Sequence, residues 1–369
     1  MIYLDYASSF PPYPEVISES MNISSAIYAN PGAIHSAGSK ARAVLQNSRK
    51  TLAQLLNVRP EEIFFTSGAT EANNWAVKAA CAQSRKRHIV CSAAEHASVL
   101  ASVKAMQAAG FSVTMLNPDR QGIIHPENVE HLLRPETALL CVQAVNNETG
   151  VIQDVDTLAA VAHKKGILFF CDAVQSFGHV SQNLHKADLF SLSAHKFGGP
   201  RGIGCLVVRY PNTLPPFLDG GGQEFGLRSG TENLPGIAGL AMAARIAATQ
   251  QPQESRRLEL LRQQLQQGLQ ELCPRLLIAG EQVSRSPGIL CCAFPDISGE
   301  EMTVRLDLKG ICVSPGAACS ARSSEPSHVL LSMGYPRKEA MGFVRFSLGQ
   351  FTTAEDIQKT LQVISDILS

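Results

Sequence analysis

Residues 138–172 read ALLCVQAVNNETGVIQDVDTLAAVAHKKGILFFCD, and this stretch decides the fold class. Two apolar runs, Ala138–Gln143 and Ile167–Asp172, flank an amphipathic segment at Asp156–Lys165, which is the pattern of strand, helix and strand. Both strands are apolar throughout, as expected when helices cover both faces of a sheet. The unit predicts an α/β fold with a largely parallel sheet.

The same alternation continues on both sides of this unit. Outside it, five further strands and three further helices are predicted, with one antiparallel strand allowed at the sheet edge: strands Ile63–Thr66, His88–Ser92, Phe111–Leu116, Asp188–Ser193 and Ile203–Val208, and helices Ala69–Ala82, Ser98–Ala109 and Asn128–Leu133. The large domain is therefore predicted to contain a mostly parallel seven-stranded sheet.

Length and composition indicate two domains. The chain has 369 residues, and domains commonly contain about 150. From Thr231 the pattern becomes a long helical stretch, with leucines from Leu258 to Leu272 at three- and four-residue steps. This stripe predicts a helix packed on its own domain rather than a coiled-coil seam. We expect residues 1–15 to pack with a small domain formed by 256–369, and residues 16–255 to form the large domain.

Charge and hydropathy exclude several classes of protein. The 32 basic and 32 acidic residues balance, so no long-range field attracts nucleic acid or an anionic membrane. No apolar run approaches the roughly 18–20 residues of a membrane span, and the start MIYLDYASS lacks the features of a secretory signal. We expect a soluble, cytoplasmic protein. The spacing of the ten cysteines indicates no metal site.

Two polar turns are candidate anion sites. In FTSGATEANN (Phe65–Asn74), a tight turn leads from a strand into a helix, where free backbone N–H groups favour phosphate; a plain helix cap is the alternative. The glycine-rich GGGQEFGLRSGTEN (Gly220–Asn233) is either a flexible loop or a second anion contact near Thr231. Neither Walker nor dinucleotide-binding motifs occur.

Two charged residues follow predicted strands, where open α/β sheets bind ligands. Asp172, in CDAVQSFG, could cap a helix or hold a cationic ring nitrogen. Lys196, in SLSAHKFGGPRGIG, could be an ordinary surface lysine or a desolvated amine able to form a Schiff base. The two residues therefore could face one cleft.

An arginine and a thiol complete the candidates. Arg345 lies inside the apolar strand of VRFSLG, where its guanidinium requires either an internal carboxylate or a substrate carboxylate. Most cysteines lie singly in apolar runs and are expected to be core residues. Cys319 lies instead among small and polar residues in SPGAACSARSSEPSH, which suggests an exposed, reactive thiol.

Together these groups describe a pyridoxal-phosphate pocket for an amino acid. Through nearly its whole length the chain also resembles the cysteine desulfurases of the fold-type I, class V aminotransferase superfamily. The motifs that carry the resemblance are YLDYA, NPGAIHSAG, TSGATEANN, the EH of Glu95–His96, NNETG, DAVQS, SAHKFGGPRGIG, GGGQEFGLRSGTEN, ACSARSSEPSH and VRFSLG. Two departures are Ser8-Ser9-Phe10-Pro11, where the family has Thr-Thr-Pro, and Phe197 after the lysine.

The resemblance implies a role for each matching residue. Lys196 would hold the cofactor covalently and move the Cα proton, Asp172 would bind the ring nitrogen, and His96 would stack on the ring. Cys319 would be the nucleophile that takes the substrate sulfur, and Arg345 would bind the substrate carboxylate. The remaining contacts fall into two groups: Gln175 and Asn147 at the ring hydroxyl or substrate, and Ala69, Thr70, Ser193, His195 and Thr231 at the phosphate.

The implied activity is removal of sulfur from L-cysteine to give L-alanine and a persulfide. Thr231 would reach the phosphate of a second subunit, which implies a homodimer. The extended cysteine segment is similar to that of the subgroup that donates sulfur to scaffold proteins, as in iron–sulfur cluster assembly or tRNA thiolation, with a transient cluster contact at Cys319 left open. A selenocysteine lyase, another lyase on the same scaffold, or a non-catalytic sulfur-system module are the alternatives.

Overall fold

The computed structural model describes residues 1–181, 184–209, 214–316 and 325–369. The strands in these ranges are β1 (Ile2–Tyr3), β2 (Ile63–Thr66), β3 (His88–Ser92), β4 (Ser112–Leu116), β5 (Thr137–Cys141), β6 (Leu168–Asp172), β7 (Leu189–Ser193), β8 (Gly204–Val208), β9 (Leu277–Ile278), β10 (Ile289–Ala293), β11 (Ile311–Cys312), β12 (Ser314–Pro315) and β13 (Phe343–Ser347). The helices are α1 (Pro14–Ala26), α2 (Ser36–Leu56), α3 (Ala69–Gln83), α4 (Ala97–Ala108), α5 (Pro126–Leu132), α6 (Val155–Lys164), α7 (Leu234–Leu272), α8 (Gly299–Asp307), α9 (His328–Ser332), α10 (Arg337–Ala340) and α11 (Ala354–Leu368).

Seven strands form the large sheet in the order β2-β8-β7-β6-β5-β3-β4. The mostly parallel, seven-stranded sheet is confirmed, and the predicted strand bounds agree within one or two residues. The antiparallel strand is β8, which pairs in the opposite direction with both β7 and β2. The expectation of an antiparallel strand at the edge was wrong. The short β7–β8 connection places β8 antiparallel beside β7, and β2 pairs with the other side of β8, so β2 is the edge strand.

Neighbouring strand residues point to opposite faces, and each face has its own core. Phe65, Leu140 and Phe169 belong to a buried cluster that includes residues of α2, α6 and α7. Phe64 and Phe170 belong to another, which contains Trp75 of α3 and residues of α4. Because apolar residues fill both faces, helices must cover both sides of the sheet, and its ligand-binding edge is left at the strand ends.

Helix α7 links the large sheet to the C-terminal elements. It begins at Leu234, after the N-cap Asn233, and not at Thr231 as expected for the start of a helix. Leu258, Leu261 and Leu265 are buried with residues of β10, β13 and α11, so the leucine stripe packs on the chain itself. The coiled-coil alternative is not supported.

The N-terminal residues join the C-terminal part of the fold. Strand β1 pairs with β11, and Leu4 is buried in the same cluster as the α7 leucines. A four-stranded antiparallel sheet, β12-β13-β10-β9, lies in this part of the chain. The domain limits at residues 15 and 255 remain a prediction; the second falls inside α7. In the described ranges, none of the helices has the length and apolar character needed to cross a membrane.

Candidate active site

A cavity of about 560 Å³ lies where β6 and β7 end and α3 begins. It collects all but two of the residues predicted to form the site: Ala69, Thr70, His96, Asn147, Asp172, Gln175, Ser193, His195, Lys196 and Arg345. Thr231 lies elsewhere, exposed in a smaller groove beside Asn30 and Pro31. Cys319 falls in residues 317–324, outside the described part of the chain.

Asp172 is the last residue of β6 and is held in place by neutral donors. Its Oδ2 accepts a hydrogen bond of 2.8 Å from Asn73 Nδ2, and its Oδ1 accepts one of 3.1 Å from the backbone N–H of Val174. The side chain is buried yet lines the cavity. A carboxylate fixed in this way, with no cationic side chain bonded to it among the described residues, is suited to a cationic group on a ligand.

The N-terminus of α3 opens into the cavity without a side-chain cap. Its N-cap is Gly68, whose φ of 149° few other residues adopt. A Cβ at Gly204 would meet the Cα of Gly68 at 2.9 Å, so β8 passes close behind this turn. Free N–H groups of the first turn, beside the Thr70 and Ser193 hydroxyls, form an anion site.

One carboxylate lies in the first turn of α3. Glu71 accepts hydrogen bonds from Arg228 at 2.7 and 3.1 Å and from the Ser67 N–H at 2.8 Å. Burial alone would raise the pKa of Glu71, but these bonds lower it. Its charge is therefore compensated by Arg228, and the helix start keeps its preference for a further anion.

Lys196 follows β7 in a short 3-10 segment, Ala194–Lys196. Its Nζ donates to the carbonyl oxygens of Ala7 at 2.6 Å and Ser8 at 2.9 Å, which aims the amine across the cavity mouth. Burial, followed by the charges of Lys196 and Arg201, lowers the pKa of His195 to about 4. His195 is thus neutral at physiological pH.

His96 is both a cavity residue and the N-cap of α4. Its Nδ1 accepts from the backbone N–H of Ser98 at 3.2 Å and lies 2.8 Å from Ser98 Oγ. Burial lowers its pKa, and Lys196 and His328 act in the same direction, while Asp172 opposes them. The neutral ring is fixed by its capping bonds, as a stacking surface requires.

Arg345 has the internal carboxylate partner that was one of its two predicted alternatives, and binding of a substrate carboxylate remains a prediction. Its guanidinium pairs with Asp5 at 2.8 Å, and it also donates to Ser8 Oγ at 2.6 Å and to the Asn147 carbonyl at 2.8 Å. It nevertheless lines the cavity, and its Nε has no hydrogen-bond partner in the described residues. An internal ion pair therefore positions a guanidinium at the wall of the cavity.

The two departures from the family pattern have different consequences. Ser8 contacts Arg345, and its hydroxyl also donates to Asp5 at 2.8 Å, so this departure lies on the substrate side of the cavity. Phe197 is buried and packs edge-on against Phe177, 4.9 Å between ring centroids. Phe10 packs against Tyr6 and does not line the cavity. Of the departing residues, Ser8 and Ser9 line the cavity, and Ser8 is the one that contacts Arg345.

Sequence reasoning missed four residues of this site. Asn73 orients Asp172, Asp5 pairs with Arg345, Ser8 bonds to both members of that pair, and Arg201 lines the cavity and donates to Ser9 Oγ at 3.3 Å. Asp5, Asn73 and Arg201 stand inside motifs that were recognised, so their position in those motifs was the available signal. Ser8 is a departure from the family pattern and carried no such signal.

The cavity offers what a phosphorylated pyridine aldehyde needs. An amine, a buried carboxylate and an uncapped helix N-terminus face the same space, and the volume suits such a ligand together with an amino acid. The fold and this site together define a class, the fold-type I pyridoxal-phosphate enzymes.

Comparisons with known proteins narrow the class. The family model for Aminotransferase class-V matches residues 2–360. A cysteine desulfurase IscS of Dictyoglomus turgidum is 37% identical over 371 residues, covering 100% of this chain and 94% of the relative. The mitochondrial cysteine desulfurase of Saccharomyces cerevisiae is 38% identical, with 99% and 74% covered. A solved NifS-like protein superposes with a TM-score of 0.93 at 36% identity, with 100% and 99% covered.

The chain belongs to the class-V aminotransferase family and, within it, to the cysteine desulfurases. The expectations of the family, the fold and a pyridoxal-phosphate cofactor are confirmed. The roles assigned to individual residues remain predictions.

Proposed function

We propose that this protein is a pyridoxal-phosphate-dependent cysteine desulfurase that converts L-cysteine to L-alanine and leaves a persulfide on Cys319. The observation that carries the proposal is the convergence of Lys196, Asp172 and Arg345 on one cavity. A solved relative titled SspA in complex with cysteine, 33% identical with a TM-score of 0.83 and coverage of 96% and 100%, supports the substrate.

Different residues of the cavity would bind different parts of the cofactor. Asp172 would bind the ring nitrogen, His96 the ring face, and the α3 N-terminus with Thr70, Ser193 and His195 the phosphate. Gln175 and Asn147 line the side between the ring and the substrate. When bound, the cofactor supplies an electron sink beside the substrate Cα.

The chain's own groups bind the substrate and move its protons. Arg345 binds the substrate carboxylate through the face that Asp5 leaves open, which orients the Cα–H toward Lys196. The Lys196 amine takes the Cα proton, and its contacts with the Ala7 and Ser8 carbonyls define its position before it does so. The neutral state of His195 keeps a competing proton away from this amine.

Sulfur transfer balances without an added oxidant or reductant. The Cys319 thiolate forms a bond to the substrate sulfur as the Cβ–S bond breaks, and the electron pair of that bond remains on carbon, which takes a proton. The products are L-alanine and Cys319–S–SH. Among the described residues no cysteine lines the cavity, and burial raises the pKa of thiols such as Cys81 and Cys205 to about 12. These thiols are therefore unsuited to the role.

Thr231 supports a homodimer. It is exposed and separated from the cavity of its own chain, so a contact with phosphate requires a second subunit. Mixing a Thr231→Ala variant with a Lys196→Ala variant tests this arrangement. In the mixed dimer the only active cavity receives its Thr231 from the Lys196→Ala subunit, so activity should exceed that of either parent; no gain would contradict it.

The persulfide is delivered to an acceptor protein, and a scaffold for iron–sulfur clusters is the acceptor that the IscS names of the relatives favour for this chain. A cytoplasmic location remains part of this proposal; the yeast relative is named as mitochondrial.

The Cys319→Ser variant tests the function. With L-cysteine and a reductant, the wild-type holoenzyme should release sulfide and alanine in equal amounts, and the variant should bind the cofactor but release at most a few per cent of the sulfide. Full sulfide release by the variant would show that Cys319 is not the nucleophile. Turnover of selenocysteine but not cysteine by both proteins would instead indicate the lyase.

A further inference from the structure

A second polar groove, of about 320 Å³, lies along one face of α7 and shares no residue with the cofactor cavity. Helix α7 contributes residues at steps of one, three and four, which place their side chains side by side, and Arg285 reaches in from the β9–β10 connection. Its lining consists of two arginines and four glutamines: Arg262, Gln263, Gln266, Gln267, Gln270 and Arg285.

The two guanidinium groups share a single neutral acceptor. Gln266 Oε1 accepts from Arg262 Nη1 at 3.3 Å and from Arg285 Nη2 at 2.9 Å. Arg262 is only 6% exposed. Its Nε, and Nη1 of Arg285, are buried and have no acceptor in the described residues. Apart from a 3.5 Å contact between Arg262 and Glu259, the two cations share one neutral acceptor and leave buried donors without acceptors.

The nearby carboxylates do not fill this gap. Glu259 is exposed and lies 3.5 Å from Arg262 Nη2, at the limit of a useful ion pair. Glu281 is exposed and accepts from the amides of Gln266 and Gln270, at 3.4 and 2.8 Å. Neither carboxylate lines the groove. The space in front of the two guanidiniums therefore presents donors and positive charge.

Electrostatics between the two arginines agree with this geometry. Burial and then the charge of Arg262 lower the pKa of Arg285 to about 10, while Glu281 acts in the opposite direction. Burial also lowers the pKa of Arg262. Both groups remain charged at neutral pH, so their mutual repulsion persists until an anion enters.

We infer that this groove binds a small oxyanion of the phosphate or sulfate class. Two guanidinium forks match the several oxygens of such an ion. A metal cation is disfavoured because the groove has no carboxylate of its own. Either the free ion or the phosphate group of a small metabolite supplies this chemistry.

The first test is titration of the holoenzyme with orthophosphate at constant ionic strength. The holoenzyme is used because its α3 anion site already holds the cofactor phosphate. Wild-type protein should bind one phosphate per chain at this groove. Arg285→Gln should weaken binding at least about tenfold, the loss expected for a charged hydrogen-bonding partner. Arg275→Gln, an exposed arginine paired with Asp296, changes the net charge equally and should bind like wild type.

A second variant tests the inference even if Arg285→Gln fails to fold. Gln266→Glu has nearly the same shape and places a carboxylate between the two arginines. It should raise the Tm of phosphate-free holoenzyme and abolish the phosphate-dependent rise, which we expect to be about 2 °C or more for wild type. Cofactor absorbance and desulfurase activity should not change.

Glycerol 3-phosphate distinguishes the two sources. Tighter binding than orthophosphate would indicate a phosphorylated metabolite, and equal or weaker binding the free ion. The inference is overturned if holoenzyme binds neither, or if Arg285→Gln and Gln266→Glu bind phosphate as well as Arg275→Gln does. Because the groove is separate from the cavity, loss of desulfurase activity in Cys319→Ser has no bearing on this result.

Discussion

The two ends of the cavity are charged in opposite senses and are built in different ways. At the Asp172 end, a carboxylate is held by Asn73 of α3 and by the backbone N–H of Val174, just after β6. At the Arg345 end, a guanidinium is held by Asp5, which is 340 positions away in the chain. The cavity therefore presents a carboxylate at one end and a guanidinium at the other. A ligand with a cationic ring and a carboxylate can bind in one direction only.

The amine between the two ends should give the largest effect. Lys196→Ala removes the group that we propose holds the cofactor and transfers the Cα proton, so kcat/KM should fall by at least about 10⁴-fold, the upper range for loss of proton transfer. Borohydride treatment should no longer trap cofactor on the chain. The control is Lys186→Ala, which lies outside the cavity lining and should retain full activity and trapping.

The Asp172 end is tested by Asp172→Asn. The substitution keeps the shape but removes the charge that stabilises a protonated ring, so kcat should fall about 10- to 100-fold while the cofactor stays attached through Lys196. Asn73→Ala, which leaves the charge but loosens its orientation, should lose only a few-fold. If the two variants were equally active in kinetic assays, the charge of Asp172 would not matter.

The Arg345 end is tested by Arg345→Lys. Lysine keeps the charge but cannot bond Asp5, Ser8 and a carboxylate at once, so KM for L-cysteine should rise about tenfold or more, with a smaller change in kcat. Ser8→Ala removes one of these contacts and should raise KM only two- to threefold. An unchanged KM in Arg345→Lys would place the substrate carboxylate elsewhere.

The smallest expected effect is on the pH dependence of folding stability, which reports how many negative charges lie near the Asp172 end. Burial, with a further contribution from Asp172, raises the pKa of Glu95 to about 8. The folded state therefore holds this proton more tightly than the unfolded state, and stability should decline as pH rises from about 5 to 8.

Glu95→Gln can still accept the Gln143 N–H bond, at 2.7 Å in the wild type, and should make the free energy of unfolding less dependent on pH over this window. Denaturant titrations at pH 5, 6.5 and 8 measure this slope. Identical slopes in both proteins would mean that Glu95 is already ionised and that the Asp172 end carries two charges.

The contrast between the Asp172 end and the Arg345 end also explains which parts of the site the sequence could predict. Asp172 and Lys196 each follow an apolar strand, and parallel strands bring their ends to one edge, so local pattern and sheet topology together predicted their meeting. Asp5 and Ser8 reach Arg345 through the pairing of β1 with β11 and the bridge between Asp5 and Ser347. No local periodicity encodes such a contact, because it depends on how distant segments associate.

The fold likewise has features that the local sequence predicts and features that it does not. Strand bounds followed from apolar runs, whereas the place of β8 within the sheet did not. Its antiparallel direction is set by the short connection after Ser193, but its position between β7 and β2 depends on β2, which precedes it by well over a hundred residues. The proposed role of Thr231 requires a second subunit, and it came only from the resemblance.

Mass spectrometry of the peptide that contains Cys319, after a brief exposure of holoenzyme to L-cysteine, tests the central claim most directly. The account predicts a gain of about 32 Da, one sulfur atom, on that peptide in the wild type and in Ser8→Ala, and no gain in Lys196→Ala. An adduct that forms equally in Lys196→Ala, or that appears only on other cysteines, would contradict the proposal that the cavity delivers sulfur to Cys319.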